Sequence, residues 1–462
     1  MISPLRVTGI AAVVSSPRRR RDQRRHRINE PASPSQPATV HPVLGAAFAA
    51  LDGAAIRWCL LRGENELDRG GDDVDLLVDE IDRAAATAAL ERLGYLRLAS
   101  WGRGSHRFFL TYNGEHDMWV KLDLVSRLSF GPYAAIETGT ADACLSRRIS
   151  VGGIPLLAED DRFWALLLHC ILDRGDVPER HAGRLRTLAG TAAAGGPLAT
   201  WFAAHAPAGW APARVLVSAR AGDWSSLVAL GRQVRSAGRA LSGPVLATRG
   251  RRAAARRMTK LRTLVLEPGL TIALLGPDGA GKSTLAAELA RTFYFPVRSV
   301  YMGLYGAGSA VGRPPRGAAD HLGRLVGHLG RQWNGYLRAA FHRARGRLVV
   351  YDRFGYDALL RQPRSQWLGA RVRRWLLSHA VPSPDLVLLL DAPPELLRAR
   401  KQEHDLTALA SQRKAYLDLA SRIGRVSVVR TDRSADAVRR DVTELIWQRY
   451  LARRRRGAAK RP

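Results

Sequence analysis

Apolar residues along this chain follow two rhythms. In the first half they fall in short runs, and Ile56–Leu61, Val74–Val78, Phe108–Tyr112 and Val120–Val125 read as strands, with helices over Val43–Leu51 and Ile81–Leu93. After Pro155 the spacing changes. Phe163, Leu166, Leu167 and Ile171 recur at helical intervals behind the acidic first turn Glu159-Asp160-Asp161, and the helical pattern runs to about Leu241. The second half alternates. Continuous apolar runs at Leu270–Leu275, Leu348–Tyr351, Leu386–Leu390 and Val426–Arg430 are separated by helical stretches from Lys282, over Ser365–Ser378, over Pro394–Arg400 and on to Ser421, with a last helix over Ala435–Tyr450. Strands that are apolar on both faces and alternate with helices imply a parallel sheet covered on both sides.

These rhythms divide the 462 residues into an arm (1–42), a mixed α+β domain (43–150), a helical spacer (151–241), a basic linker (242–264), an α/β domain (265–452) and a tail (453–462). Composition narrows the class. Hydrophobic residues are 46% and charged residues 24%, which fits a globular protein and excludes collagen or wholesale disorder. The three cysteines, Cys59, Cys144 and Cys170, are too few and too far apart for a disulfide framework or a zinc cluster, and point to a reducing, cytoplasmic setting.

Lysine and arginine number 72 against 41 acidic residues, a net charge of +31, so anionic partners are expected. The excess is concentrated. Arg18–Arg21, Arg24, Arg25 and Arg27 precede the Pro/Ser-rich Pro31–Pro42, which has no apolar periodicity to offset ordering, and the arm reads as disordered. Arg232–Arg262 holds no acidic residue, and Arg453–Arg456 opens a tail similar to the arm. These segments suit an acidic membrane surface or another polyanion; a solvated connector and a second copy of the chain stay open beside them.

The sharpest chemical signal is Gly276-Pro277-Asp278-Gly279-Ala280-Gly281-Lys282-Ser283, a G-x-x-x-x-G-K-[ST] motif that follows an apolar strand and opens a helix. In that setting backbone N–H groups of Gly276, Asp278, Gly279, Ala280 and Gly281 curl around phosphates, Lys282 reaches the β- and γ-phosphates, Ser283 ligates Mg²⁺, and Thr284 continues the helix N-terminus. ATP with Mg²⁺ is the expected cofactor pair. Asp352-Arg353 directly after a strand places a carboxylate for the metal and a guanidinium for a phosphate. Arg398, Arg400, Lys401 and Arg413 flank Gln402–Ser411, which reads as a mobile lid supplying transition-state charge.

Residues from about Leu270 to Leu451 resemble the thymidylate kinase family in the GPDGAGKST loop, the YDRF segment, the VLLLDAPPELLRARK run and Gln412–Ala420 with Tyr416. The resemblance implies a P-loop NTPase-type parallel sheet sandwiched by helices and an ATP:nucleoside-monophosphate phosphotransferase. It also implies that Asp278 meets the acceptor's sugar hydroxyl, Arg353 its phosphate, and Arg398, Arg400 and Lys401 the ATP phosphates. The family's Thr-Arg-Glu-Pro acceptor segment is missing. Ser299–Gly346 stands there instead, rich in glycine and arginine, and reads as a basic flap suited to a bulkier anionic or sugar-like acceptor than thymidylate.

The first half carries an acidic set. Asp73 and Asp75 enter one strand and Asp123 lies in another, so three carboxylates can converge on Mg²⁺. Val43–Phe130 resembles the polymerase-beta-like nucleotidyltransferase superfamily, with Arg62-Gly63 as its glycine turn and Glu64 in place of the second small residue. The fold class expected is α/β, a P-loop domain preceded by an α+β nucleotidyltransferase-like domain and a helical spacer. A P-loop kinase is the leading function. Nucleotidyl transfer at Asp73, Asp75 and Asp123, or a non-enzymatic ATP-binding scaffold on nucleic acid or membrane, are the alternatives.

Overall fold

The computed structural model describes residues 40–69, 74–98, 105–131, 134–241, 268–303, 317–360, 368–402, 405–423 and 425–459. The basic arm up to residue 39, the basic linker over 242–264 and Asp73 lie outside the described residues.

The first sheet has seven strands in the order β3-β4-β5-β2-β1-β9-β8. They are β1 (Trp58–Arg62), β2 (Val74–Val78), β3 (Leu96–Leu98), β4 (His106–Asn113), β5 (Met118–Val125), β8 (Ile149–Val151) and β9 (Ile154–Leu156); β6 (Ser129–Phe130) and β7 (Ile136–Glu137) form a separate ladder. Alternation divides the side chains between two cores. Leu60, Leu76, Leu122 and Leu124 pack with Leu44, Leu51 and Leu90 of α1 (Pro42–Gly53) and α2 (Arg83–Arg92). Cys59, Leu61, Leu77 and Val125 belong to a second core with α3 (Ala141–Ser146), α4 (Glu159–Leu168), α5 (Glu179–Thr191), α6 (Pro197–His205), α7 (Pro212–Ala221) and α8 (Trp224–Leu241). All three cysteines are buried and free, their thiols pushed up by burial.

The second sheet is wholly parallel, in the order β11-β12-β10-β13-β14: β10 (Thr271–Leu275), β11 (Val297–Tyr301), β12 (Leu348–Asp352), β13 (Leu386–Asp391) and β14 (Val426–Arg430). Ile272, Leu274, Val350, Leu388 and Leu390 pack with α9 (Lys282–Thr292) and α15 (Ala435–Ala459). Ala273, Leu275, Val349, Tyr351 and Leu389 join the opposite core with α10 (Ala318–Ala344) and α14 (Leu406–Ile423). The short α11 (Asp357–Leu360), α12 (Leu368–His379) and α13 (Pro394–Arg400) complete the set. The five central β10 residues are all buried, as a strand covered on both faces requires. No described helix is long and apolar enough to cross a membrane.

The two sheets meet through aromatic rings. Trp119 at the start of β5 has its ring centroid 5.2 Å from those of Phe293 and Trp447 and 5.7 Å from that of Tyr294. Leu98, Leu110 and Tyr112 join the same core as the P-loop strand, so the β3-β4-β5 end of the first sheet is buried against the second.

Two segments differ from the sequence reading. The basic flap expected over Ser299–Gly346 is largely a 27-residue helix, α10, held by Ala339 in the core and by Gln332, whose side chain donates to the Leu377 carbonyl at 3.1 Å. Its glycines mask the pattern, but Arg324, Arg331, Arg338 and Arg345 recur every seventh residue, a helical period. The segment expected as a lid over Gln402–Ser411 is helical from Leu406, where the Asp405 carboxylate accepts from the Ala408 amide at 2.8 Å and caps α14.

Candidate active site

The phosphate loop is shaped by its glycines. Gly276, Gly279 and Gly281 have φ of +142°, +86° and +92°, conformations L side chains rarely adopt. A Cβ at Gly276 would stand 2.5 Å from the Leu390 carbonyl oxygen, and one at Gly279 2.9 Å from that of Leu397. Strand β13 and helix α13 therefore press on the loop and leave room for backbone alone. Helix α9 starts at Lys282, with Ser283 and Thr284 exposed in its first turn. The Lys282 Nζ is buried and donates to the Gly276 and Pro277 carbonyls, both at 2.8 Å, and burial pulls its pKa down. Left-handed glycines, a helix N-terminus and a desolvated ammonium at one point fit a polyphosphate.

Beside the loop, three further groups converge on its Asp278 side. Arg353 follows β12 in the left-handed region at φ +66°, unusual for a residue with a long side chain and a mark of local strain. Its Nη2 donates to Asp278 Oδ1 at 2.8 Å, and its Nη1 lies 3.8 Å from Asp357 Oδ2. Asp278 Oδ1 is also 3.7 Å from Lys282 Nζ. Burial opposes ionisation of Asp278, but the charges of Lys282, Arg353 and Lys401 outweigh it and hold the carboxyl below its ordinary value. Asp357 is different: burial dominates and pushes it up to about 6, against the opposing charges of Arg353 and Lys282. Its Oδ1 accepts from the Tyr416 hydroxyl of α14 at 3.4 Å.

The metal and lid candidates are spread around this centre. Asp352 ends β12 opposite Leu274 of β10, at the carboxyl edge where the loop begins. Among the described residues no three His, Cys, Asp or Glu side chains are grouped to hold a metal ion. Ser283, in the first turn of α9, and Asp352, at the end of β12, are the two oxygen donors expected from the sequence to bear on a metal. Arg398 is exposed, Arg400 donates to the Thr431 carbonyl at 2.7 Å, and Arg413 makes a two-point pair with Asp391 at 2.6 and 2.8 Å. Of the basic residues around the lid, Lys401 acts through its charge on Asp278.

In the first sheet Asp75 and Asp123 are direct neighbours on parallel strands. Each has a basic partner: Arg62 Nε donates to Asp75 at 2.7 Å, and His106 Nδ1 lies 2.8 Å from Asp123. Burial lowers the His106 pKa, but its hydrogen bond to Asp123 and that carboxylate's charge outweigh burial and raise it. Glu64, at the departure from the glycine turn, is bound by Arg162 at 3.4 Å and by Arg184, tying β1 to the helices. Two of the three carboxylates are thus brought together, each already hydrogen-bonded to a basic side chain; the third is Asp73.

Sequence reasoning missed Asp357, which opens α11 beyond the turn after β12 and comes within reach of Arg353 only because that residue takes a left-handed backbone.

No protein-family model and no curated protein matches this chain. Among solved structures, a thymidylate kinase from Candida albicans is similar at 18% identity, covering 39% of this chain and 92% of that one, with a TM-score of 0.30.

Proposed function

We propose that the protein is an ATP-dependent P-loop phosphotransferase, of the nucleoside monophosphate kinase type, that moves the γ-phosphoryl group to a nucleoside monophosphate or a related sugar-like or phosphorylated acceptor. The observation that carries this reading is the convergence of Lys282, Asp278 and Arg353 at the carboxyl edge of a parallel sheet, on a loop whose positive-φ glycines lead into a helix N-terminus. Bound Mg·ATP supplies the phosphoryl group and neutralises charge on its own oxygens. The chain's part is positioning: Lys282 exchanges loop carbonyls for phosphate oxygens, Ser283 and Asp352 orient the metal, and Asp278 and Arg353 orient the acceptor.

In this proposal residues 265–452 perform the transfer, Arg398, Arg400 and Lys401 add positive charge on the ATP side, and the domain over 43–150 with the helices over 151–241 is the module joined to it. Nucleotidyl transfer at Asp73, Asp75 and Asp123 has less support, because Arg62 and His106 already occupy two of its carboxylates with hydrogen bonds. The test is incubation of the full chain with γ-labelled ATP and Mg²⁺ in the presence of nucleoside monophosphates and sugars, with products identified by mass. Label in a new compound supports the reading; turnover of α-labelled ATP into a nucleotidyl product, without γ-transfer, replaces it with the alternative.

A further inference from the structure

The group that the phosphate-loop chemistry leaves unexplained is the Asp357 carboxyl. A phosphate acceptor has no use for it. A nucleoside monophosphate carries close to two negative charges at neutral pH, its attacking oxygen is already ionised, and it needs cations around it. Here the nearest cation is shared: Arg353 sits between Asp278 at 2.8 Å and Asp357 at 3.8 Å, so two carboxylates already answer its charge. A second anion would meet Asp278 and Asp357 as well as Arg353.

A hydroxyl acceptor reverses each of these points. It is neutral, it forms hydrogen bonds to carboxylates, and it must lose a proton as it attacks. We propose that Asp357 takes that proton, so that the acceptor is an alcohol, such as a sugar or polyol, and phosphoryl transfer makes a phosphate monoester. This rests on the phosphotransferase reading above and narrows its acceptor. The acceptor O–H bond breaks with its proton passing to an Asp357 oxygen. The acceptor oxygen bonds to the γ-phosphorus, and the bond from that phosphorus to the β,γ-bridging oxygen breaks, its electron pair leaving with ADP.

The surroundings suit a base. Asp357 is 14% exposed, faces Arg353 and Tyr416 directly, and feels the charges of Lys282 and Asp278. Burial holds its pKa at about 6, close enough to neutrality for the ionised form to be present and still basic. The Tyr416 hydroxyl is 3.4 Å from one carboxylate oxygen, and the second lies 3.8 Å from Arg353, whose other nitrogen reaches Asp278 of the loop at 2.8 Å.

The experiment supplies γ-labelled ATP and Mg²⁺ to the full chain with two acceptor sets. One holds hydroxyls without phosphate: glycerol, ribose, glucose, N-acetylglucosamine and thymidine. The other holds the matching nucleoside monophosphates, thymidine monophosphate included. Label in the hydroxyl set is expected. For the accepted alcohol, Asp357→Asn should lower kcat by about 10²–10⁴-fold with KM and ATP affinity nearly unchanged, and should remove the acidic limb of the kcat/KM profile near pH 6, while Asp357→Glu recovers part of the rate. Label only in the phosphate set, label in neither set, or an Asp357→Asn effect confined to KM overturns the proposal. The parent reading fails separately: it falls if Lys282→Ala turns ATP over like the native chain, and stands if Lys282→Ala is inert while label goes to phosphates.

Discussion

Arg439, on the last helix, grips Asp117 in the β4–β5 hairpin, 322 residues earlier, with both guanidinium nitrogens, Nη1 reaching Oδ1 at 2.8 Å. The guanidinium is buried and the pair lies beside the Trp119–Trp447 contact, so it fastens the two sheets where their cores fuse. Losing one partner of such a charge-assisted pair costs on the order of 1.5–3 kcal/mol. Asp117→Asn should lower the denaturation midpoint accordingly, and far more than Asp436→Asn, whose carboxylate is 80% exposed. Chemical denaturation of both variants reads this directly.

The same pair gives a pH dependence. Burial opposes ionisation of Asp117, yet its bonds from Arg439 and Tyr112 and the Arg439 charge prevail, so its folded pKa is below the ordinary 3.8. A lowered folded value contributes stability above the unfolded pKa, and that contribution is lost as pH falls through the folded value. Stability of the native chain should therefore drop more steeply below about pH 4 than that of Asp117→Asn, whose curve should be flatter there.

His106 has the opposite sign. Its folded pKa is above the ordinary 6.5 because of Asp123, so its stabilisation is complete below 6.5 and disappears as pH rises through the folded value. NMR titration should place the His106 midpoint above 6.5, and Asp123→Asn should bring it below, since burial, the largest influence, and the Arg62 charge are then opposed by Asp75 alone. A midpoint unchanged by Asp123→Asn would mean the 2.8 Å contact does not govern the ring.

Gly276→Ala should damage the loop itself. The added methyl would stand 2.5 Å from the Leu390 carbonyl and would have to be accommodated at φ +142°. Backbone strain of this kind costs about 1–3 kcal/mol, and calorimetry should show ATP affinity falling along with stability. Gly281→Ala meets open space and differs only in its φ of +92°, so its effect on stability should be the smaller.

The legible parts of this chain are those written in local rules. Val74–Val78 as a strand, Pro394–Arg400 as a helix and Lys282 at a helix start match the structure because each is fixed by burial on two faces, by Pro at the first turn or by the glycine loop. Helix α10 escaped because glycines at 323, 327 and 330 weaken its propensity, and only packing through Gln332 and Ala339 declares its direction. At the site, Lys282 and Arg353 follow from motifs. The Asp357–Arg353–Asp278 arrangement does not, because it depends on Arg353 adopting φ +66° and on α14 bringing Tyr416 across from 59 residues away. Asp75 and Asp123 were read as convergent and are neighbours, but their pairing with Arg62 and His106 is a matter of register between β1, β2, β4 and β5.

The central claim is that Lys282 and its loop hold a phosphoryl group for transfer. Single-turnover transfer from γ-labelled Mg·ATP by the native chain and by Lys282→Ala tests it most directly, with thermal unfolding of both as the check on folding. The account predicts a loss on the order of 10²–10³-fold in the variant, with the folded state retained. Equal transfer rates in two equally folded proteins would contradict it.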